Sequence, residues 1–306
     1  MPGPQTDLVV AVGPDPTPDV EHAVRTGGGV PGPLSRAGAL VWTGGPADFP
    51  ELPESVRWVQ LPAAGVEKWV AAGIFARNPR VQFTSAAGVY ADAVAEHALT
   101  LLLMGVRGLW RRSSSWDREV AARTGTLAGS TVAIIGAGGI GRALVGPLLD
   151  LHAKVIAVNR SGRDVPGALV RTADEVDRVW DEADHVVLAA PATPGTKALV
   201  GAPELARLKR HSWVVNVARG TLVDTDALVD ALRGGAIGGA GLDVVDPEPL
   251  PGGHPLWALP NAIITPHVAN PPQLMWPALL ERIEVNVRRV ANGREPLAPI
   301  DAGRGY

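Results

Sequence analysis

The chain has 306 residues, 46% of them apolar, and a formal net charge of −3. That length supplies core for one large or two ordinary domains. The composition excludes a disordered chain, and the charge excludes a global basic field for nucleic acid or an anionic membrane. No cysteine is present, so disulfides, thiolate metal sites and cysteine nucleophiles are excluded as well.

The N-terminal stretch MPGPQTD lacks the basic and apolar regions of a signal peptide. No apolar run reaches the roughly 18 residues needed to span a bilayer. A cytoplasmic protein with no membrane or nucleic-acid partner and no metal site is expected. The first third alternates short apolar runs with turn-rich gaps. DLVVAVG (7–13), ALVWTGG (39–45), VRWVQLP (56–62) and VQFTSA (81–86) are β-branched or aromatic-rich and bounded by glycine or proline, which predicts strands. Helical patches lie between them, for example at 66–72. A βα alternation of this kind predicts a parallel sheet. A longer helix is predicted over 92–112, with Asp92 as a possible N-cap and arginines at its end, where they complement the helix dipole.

A second βα series begins at Ser130 with strand, glycine turn, helix and strand. Further strands are predicted at 185–191, 212–219, 239–245 and 262–268. The last segment, ALLERIEVNVRRVANG, carries Ile283, Val287 and Val290 at helical spacing and ends in Asn292-Gly293, a C-capping pair. Two such series predict two α/β domains with doubly wound parallel sheets. Small ligands usually bind in the cleft between such domains.

The glycine turn GAGGIG places Gly136, Gly138 and Gly141 in the G-x-G-x-x-G spacing, with Gly139 and Ile140 between them. The first glycine permits a tight turn, the second lets backbone approach a pyrophosphate, and the third lets helix and strand pack closely. The helix N-terminus then offers N–H groups to the phosphates. Chance alone gives on the order of 0.5 such matches in a chain this rich in glycine, so the preceding strand TVAII and the following helix carry the assignment. In this unit an acid about 20 residues on selects NAD by binding the ribose hydroxyls. Here the second strand ends VIAVNRSG, and no acid occupies 158–161. Asn159, Arg160 and Ser161 stand there instead, with Arg163 beyond. A guanidinium fork suits a 2′-phosphate, so NADPH is favoured over NADH.

Three polar residues end later strands or lie just beyond them: Arg219, Glu248 and His267. In open α/β sheets that edge binds ligands. An arginine can clamp a carboxylate and polarise a neighbouring carbonyl, a histidine can move a proton near neutral pH, and a glutamate can orient the ring and stabilise the imidazolium. Singly, each is more often a solvated or structural residue.

Together they resemble a known family. The stretches VVNVARGTLVDTDALVDALRGGAIGGAGLDVVDPEPLP and HPLWALPNAIITPHVA strongly resemble the D-isomer-specific 2-hydroxyacid dehydrogenases. GVYADAVAEHALTLLLMGVR resembles the helix by which that family enters its cofactor domain. The glycine turn, APATPGTKALV and these motifs cover roughly 89–269. The first third resembles the family more loosely, chiefly in LPAAGVEKW. The resemblance implies a flavodoxin-like substrate domain from 1–92 and 273–306, and a Rossmann cofactor domain at 93–272. It implies hydride transfer between a nicotinamide and the 2-carbon of a 2-oxo acid. Carried over by motif, Arg219 binds the substrate carboxylate and carbonyl. His267 is general acid for reduction and base for oxidation, and Glu248 pairs with it. Backbone N–H groups near Ala64 and Gly65 complete the carboxylate site. Asp243 faces the nicotinamide carboxamide, and Pro191, Thr196, Val217, Ala218 and Ala269 lie along the cofactor. Glu96 and His97 match the family's helix motif and are taken as structural. The family generally pairs through its cofactor domain, which implies a homodimer.

The chain departs from the family after His267, where Pro271 and Pro272 intervene. Trp42, Leu61 and Trp276 are candidate walls of the substrate pocket. The NRSG end resembles the NADP-using glyoxylate and hydroxypyruvate reductases, which favours a small 2-oxo acid substrate. Two alternatives stay open: an NAD-linked dehydrogenase of the phosphoglycerate type, and a non-catalytic protein that senses the cofactor.

Overall fold

The computed structural model describes residues 7–110 and 124–301. It divides into two compact units, one of Met1–Tyr90 with Pro271–Tyr306 and one of Ala91–Asn270. Each is an α/β domain built on a parallel sheet.

The first unit contains β1 (Val9–Gly13), β2 (Val30–Pro31), β3 (Ala39–Trp42), β4 (Trp58–Gln60) and β5 (Gln82–Thr84). Their order is β2-β1-β3-β4-β5, with every pair parallel. This is the flavodoxin-like arrangement. All residues of β3 and β4 are buried, as strands covered on both faces require. On one face lie α1 (Pro18–Thr26) and the C-terminal helix, which runs over Pro272–Ala291. Val20, Ala23 and Val24 of α1 share a core with Leu279, Ile283 and Val287 of that helix. On the other face Trp69 of α2 (Glu67–Ala71) and Phe75 of α3 (Ile74–Arg77) cluster with Trp42, Phe49 and Phe83. Phe49 meets both Trp42 and Trp69 edge-on at 5.5 Å, a favoured aromatic geometry.

A buried polar spine ties the C-terminal helix to this sheet. Asn286 is wholly buried. Its Nδ2 donates to Gln60 Oε1 (2.7 Å) and to the Leu297 carbonyl (3.1 Å), and its Oδ1 accepts from Leu297 N–H (2.7 Å). Gln60 Oε1 also accepts from Thr84 Oγ1, and Gln60 Nε2 donates to the Leu61 carbonyl. One amide thus joins strand, helix and the chain beyond it.

The second unit opens with α4 (Ala91–Val106). The helix expected over 92–112 stops at Val106, and Gly108 then takes a left-handed φ of +67°, which ends helical continuation. Arg111 and Arg112 lie outside the described residues. Asp92 falls within the first turn rather than before it, where its charge still suits the helix dipole. The sheet comprises β6 (Thr131–Ile135), β7 (Lys154–Asn159), β8 (Leu169–Thr172), β9 (His185–Leu188), β10 (Trp213–Asn216), β11 (Gly239–Leu242) and β12 (Ala262–Ile264). Read from β8 the order is β8-β7-β6-β9-β10-β11-β12, all parallel. The doubly wound Rossmann order 3-2-1-4-5-6 is extended by one strand. The chain leaves β6 in one direction and returns beside it at β9, and this reversal is where such sheets bind nucleotides.

The strands are shorter than their apolar runs because only facing residues enter the ladders. The edge strands β2 and β8 carry no strong apolar signal. Neither has a buried residue. The C-terminal helix starts at Pro272, six residues before the expected periodicity. Proline is well suited to the first helical position, whose N–H has no partner in any case. No helix among the described residues is long and apolar enough to cross a membrane.

Asn286→Ala should destabilise the first unit by about 1–3 kcal/mol, because it orphans partners of a buried amide. Chemical denaturation would measure this. A midpoint equal to that of the wild type would show that the spine carries no net stability.

Candidate active site

The glycine turn connects β6 to α5 (Gly139–Asp150) at the reversal point. Gly136 has φ +105°, and a Cβ there would lie 2.4 Å from Ala190 N, just beyond β9. A Cβ on Gly141 would lie 2.5 Å from the Gly136 carbonyl oxygen, so helix and turn touch. Gly138, the N-cap, has nothing within 4 Å of the Cβ position. The turn is thus closed behind and open in front, over a helix N-terminus with no acidic residue in its first turn. That arrangement fits a dinucleotide pyrophosphate.

The end of β7 forms a tight polar turn. Asn159 Nδ2 donates to the Arg163 carbonyl (2.8 Å), and its Oδ1 accepts from Arg163 N–H (3.0 Å) and Ser161 Oγ (3.3 Å). Asn159 therefore builds the turn with its own side chain. Arg160, Ser161 and Arg163 are exposed on it. Arg142 reaches the same turn from α5, donating from Nη2 to the Asp164 carbonyl (2.9 Å). Position 142 directly follows the third glycine, and that proximity was the available sequence signal.

After β9, Thr196 is tied into its own turn. Its Oγ1 donates to the Pro191 carbonyl (2.7 Å) and accepts from Thr193 N–H (2.8 Å). Pro191 is exposed, while Val217 and Ala218, after β10, are nearly buried. Asn216 shapes the exit of β10: its Nδ2 donates to the Arg219 carbonyl (2.9 Å) and its Oδ1 accepts from Ala218 N–H (3.1 Å). Arg219 is half-buried, and its Nη1 donates to the Ala218 carbonyl (2.7 Å). Gly220 follows in extreme proximity to the β11 exit. A Cβ there would sit 2.0 Å from the Val245 carbonyl group.

The exits of β11 and β12 are joined by Asp243, whose side chain is 1% exposed. Its Oδ1 accepts from Thr265 Oγ1 (2.6 Å) and Val268 N–H (2.9 Å), and its Oδ2 from Ala269 N–H (3.0 Å). His267 N–H donates to the carbonyls of Asp243 (2.9 Å) and Thr265 (3.0 Å). Between these bonds His267 takes a left-handed φ of +53°, which costs a non-glycine residue roughly 1–2 kcal/mol. The His267 ring then meets Glu248, Nδ1 to Oε1 at 2.7 Å. A carboxylate accepts only, so Nδ1 carries the proton, and Nε2 is the nitrogen left for proton exchange. Both side chains are about half exposed, at 52% and 43%. An ion pair so exposed adds at most about 1 kcal/mol of stability; orientation is its main effect.

Ala64 and Gly65 lie in the first unit, between β4 and α2 (Glu67–Ala71), and Ala64 is exposed. The Tyr90 hydroxyl donates to the Pro62 carbonyl (2.8 Å), and Ala86 N–H to the Ala63 carbonyl (2.9 Å), so their loop is pinned at two points. Burial pushes the Tyr90 hydroxyl up to about 12, against the opposite pull of Arg282, so it stays a donor. The expected pocket walls fare differently. Leu61 is wholly buried in the core and presents no surface to a ligand; it directly follows β4, a strand with both faces covered. Trp42 is nearly buried and donates Nε1–H to the Gly45 carbonyl (2.9 Å). Trp276 is half-buried against the core beneath the C-terminal helix.

The family model described as D-isomer specific 2-hydroxyacid dehydrogenase, NAD binding domain, matches residues 101–269, more than half of the chain. The chain belongs to that family. It is an NAD(P)-dependent oxidoreductase of the D-2-hydroxyacid dehydrogenase type, with its nucleotide-binding domain in the second unit. A Corynebacterium melassecola protein described as uncharacterized, in the proB 3′ region, is 41% identical over 279 residues, 89% of this chain and 91% of that one. The glyoxylate reductase of Thermofilum pendens is 32% identical over 231 residues, 72% of this chain and 68% of its own. Among solved structures, a D-isomer specific 2-hydroxyacid dehydrogenase from Xanthobacter autotrophicus Py2, in complex with NADPH and MES, is 26% identical. It has a TM-score of 0.79 and covers 98% of this chain and 100% of that one. Among the described residues no group of three or more histidine and acidic side chains could hold a metal ion.

Gly220→Ala should force the backbone after Arg219 away from the β11 exit, because the obstacle is backbone and cannot turn aside. A loss of about 1–3 kcal/mol of stability is expected from overpacking, together with reduced turnover. Gly252→Ala, where the added methyl meets open space, is the matched control. Equal denaturation midpoints and equal turnover for the two variants would contradict the close approach.

Proposed function

We propose that the protein reduces a small 2-oxo acid of the glyoxylate or hydroxypyruvate type to the D-2-hydroxy acid, with NADPH as reductant. The turn at 159–164 carries the cofactor choice. It holds no carboxylate over 158–161, where an NAD-selecting acid would stand, and it displays Arg160, Ser161 and Arg163 beside Arg142. An array of guanidinium and hydroxyl groups suits the 2′-phosphate. The NADPH-bound relative from Xanthobacter autotrophicus supports the same choice, and the Thermofilum pendens reductase supports the substrate class.

In this reading the coenzyme supplies the hydride to C2 of the substrate. The chain's own groups do the rest. Arg219 takes the substrate carboxylate as a bidentate partner and polarises the carbonyl. His267 gives its Nε2 proton to the carbonyl oxygen, while Glu248 holds Nδ1 and stabilises the imidazolium until that transfer. One hydride and one proton thus convert the 2-oxo to the 2-hydroxy acid. Gly136, Gly138, Gly139, Ile140 and Gly141 hold the pyrophosphate. Pro191, Thr196, Val217, Ala218, Asp243 and Ala269 line the cofactor's path.

Initial rates with glyoxylate and hydroxypyruvate, NADPH against NADH, test the proposal. NADPH should be preferred, and Arg160→Ala should abolish most of that preference, a loss of about 10–100-fold in kcat/KM with NADPH, since a charged hydrogen bond contributes roughly 1.5–3 kcal/mol. His267→Ala should lower kcat by about 100-fold or more. NADH preference in the wild type would overturn the cofactor assignment, and unchanged kcat in His267→Ala would overturn the proton donor.

A further inference from the structure

His97 lies in the second turn of α4, and its side chain points at the exit of β12. Its Nε2 is 3.0 Å from Thr265 Oγ1 and 3.4 Å from Asp243 Oδ1. The direction of these bonds follows from counting protons. Thr265 has one hydroxyl proton, and the 2.6 Å contact with the Asp243 carboxylate takes it. Thr265 Oγ1 can then only accept from His97. His97 therefore carries its proton on Nε2, and donation runs from His97 to Thr265 to Asp243. The chain ends on the carboxylate that also receives Val268 N–H and Ala269 N–H, the two residues after His267.

We propose that His97 is a positioning residue for His267. Its Nε2–H occupies the acceptor side of the Thr265 hydroxyl and so turns the hydroxyl proton onto Asp243. That fixes the carboxylate, which fixes the loop in which His267 holds its left-handed backbone and meets Glu248. Without the donor, the Thr265 hydroxyl is free to rotate. Asp243 then loses its shortest bond, and the loop relaxes toward the ordinary right-handed or extended backbone. The His267 ring drifts from Glu248, while Arg219, whose exit from β10 is shaped by Asn216, keeps its place. The effect falls on proton transfer rather than on substrate binding. This inference rests on His267 being the proton donor.

The test compares wild type, His97→Leu and His97→Gln. Leucine removes the donor at similar volume; the glutamine amide restores an N–H near the Nε2 position, so any recovery reports the hydrogen bond rather than packing. Two readouts are needed. The first is kcat and KM for glyoxylate with saturating NADPH. The second is the His267 ring signal in the NMR spectrum of protein carrying 13C-labelled histidine, assigned with His267→Asn and recorded without substrate or coenzyme. His97→Leu should lower kcat about 10-fold or more with KM changed less than about twofold, and should displace the His267 signal; His97→Gln should restore most of both. Thr265→Val should reproduce His97→Leu by cutting the same chain elsewhere, and it decides the question if His97→Leu does not fold. An unmoved His267 signal with unchanged kcat, a rise in KM alone, or a glutamine variant no better than leucine would overturn the inference. A wild type that reduces no 2-oxo acid would overturn the proposed function instead, and the NMR comparison would still decide whether His97 positions His267.

Discussion

The carboxylate of Asp243 is the point on which the path of the chain beyond β12 depends. It is buried at the exit of β11, and it accepts from a hydroxyl and two main-chain N–H groups from the exit of β12. A buried carboxylate is tolerated only when hydrogen-bonded throughout, so the same bonds that satisfy its charge also prescribe the path of residues 265–269. That path holds His267 in a backbone conformation that histidine rarely takes on its own. The unfavourable φ persists because it is over-determined by its surroundings, as strained residues at functional sites generally are.

The rest of the site inherits its placement from the parallel sheet. Because β6, β9, β10, β11 and β12 all point the same way, their exits deliver the glycine turn, Pro191, Arg219, Asp243 with Glu248, and His267 to a single edge. Charge is sorted along that edge. The helix N-terminus and the arginines of the 159–164 turn lie on one side of the reversal point, and the histidine and its glutamate lie on the other. The pairing of His267 with Glu248 is half exposed and adds little to stability. Its value lies in leaving one defined ring nitrogen, Nε2, for the proton.

Much of this was legible in the sequence, for identifiable reasons. Arg219 and His267 drew notice because strands in a buried parallel sheet read as continuous apolar runs, so a polar residue at or near the end of a run stands out; their roles, and that of Glu248, came from the family resemblance of the surrounding motifs. The glycine turn was legible because each glycine answers a separate steric demand. What escaped had no local signal. The contact between His97 and Thr265 joins residues 168 apart, and Thr265 reads as an interior residue of the strand expected over 262–268. Asn159 looks like a ligand-binding residue from its position, yet its amide groups are used in the turn itself. Leu61 follows an apolar run and was expected at a pocket wall, but the residue just past a strand covered on both faces stays as buried as the strand itself. The edge strands β2 and β8 were missed because neither has a buried residue and so neither carries a strong apolar signal.

A double-mutant cycle on kcat between Asp243→Asn and His267→Ala tests the central claim most directly, measured with NADPH and the 2-oxo acid both saturating. An amide at position 243 must set an N–H against one of the donors it now accepts from, so the loop should open without loss of side-chain volume. If Asp243 acts by holding His267, each single variant lowers kcat and the double variant falls no further than His267→Ala alone. If the two losses multiply in full, Asp243 serves the reaction by a separate route, and the account of the loop as its instrument is wrong.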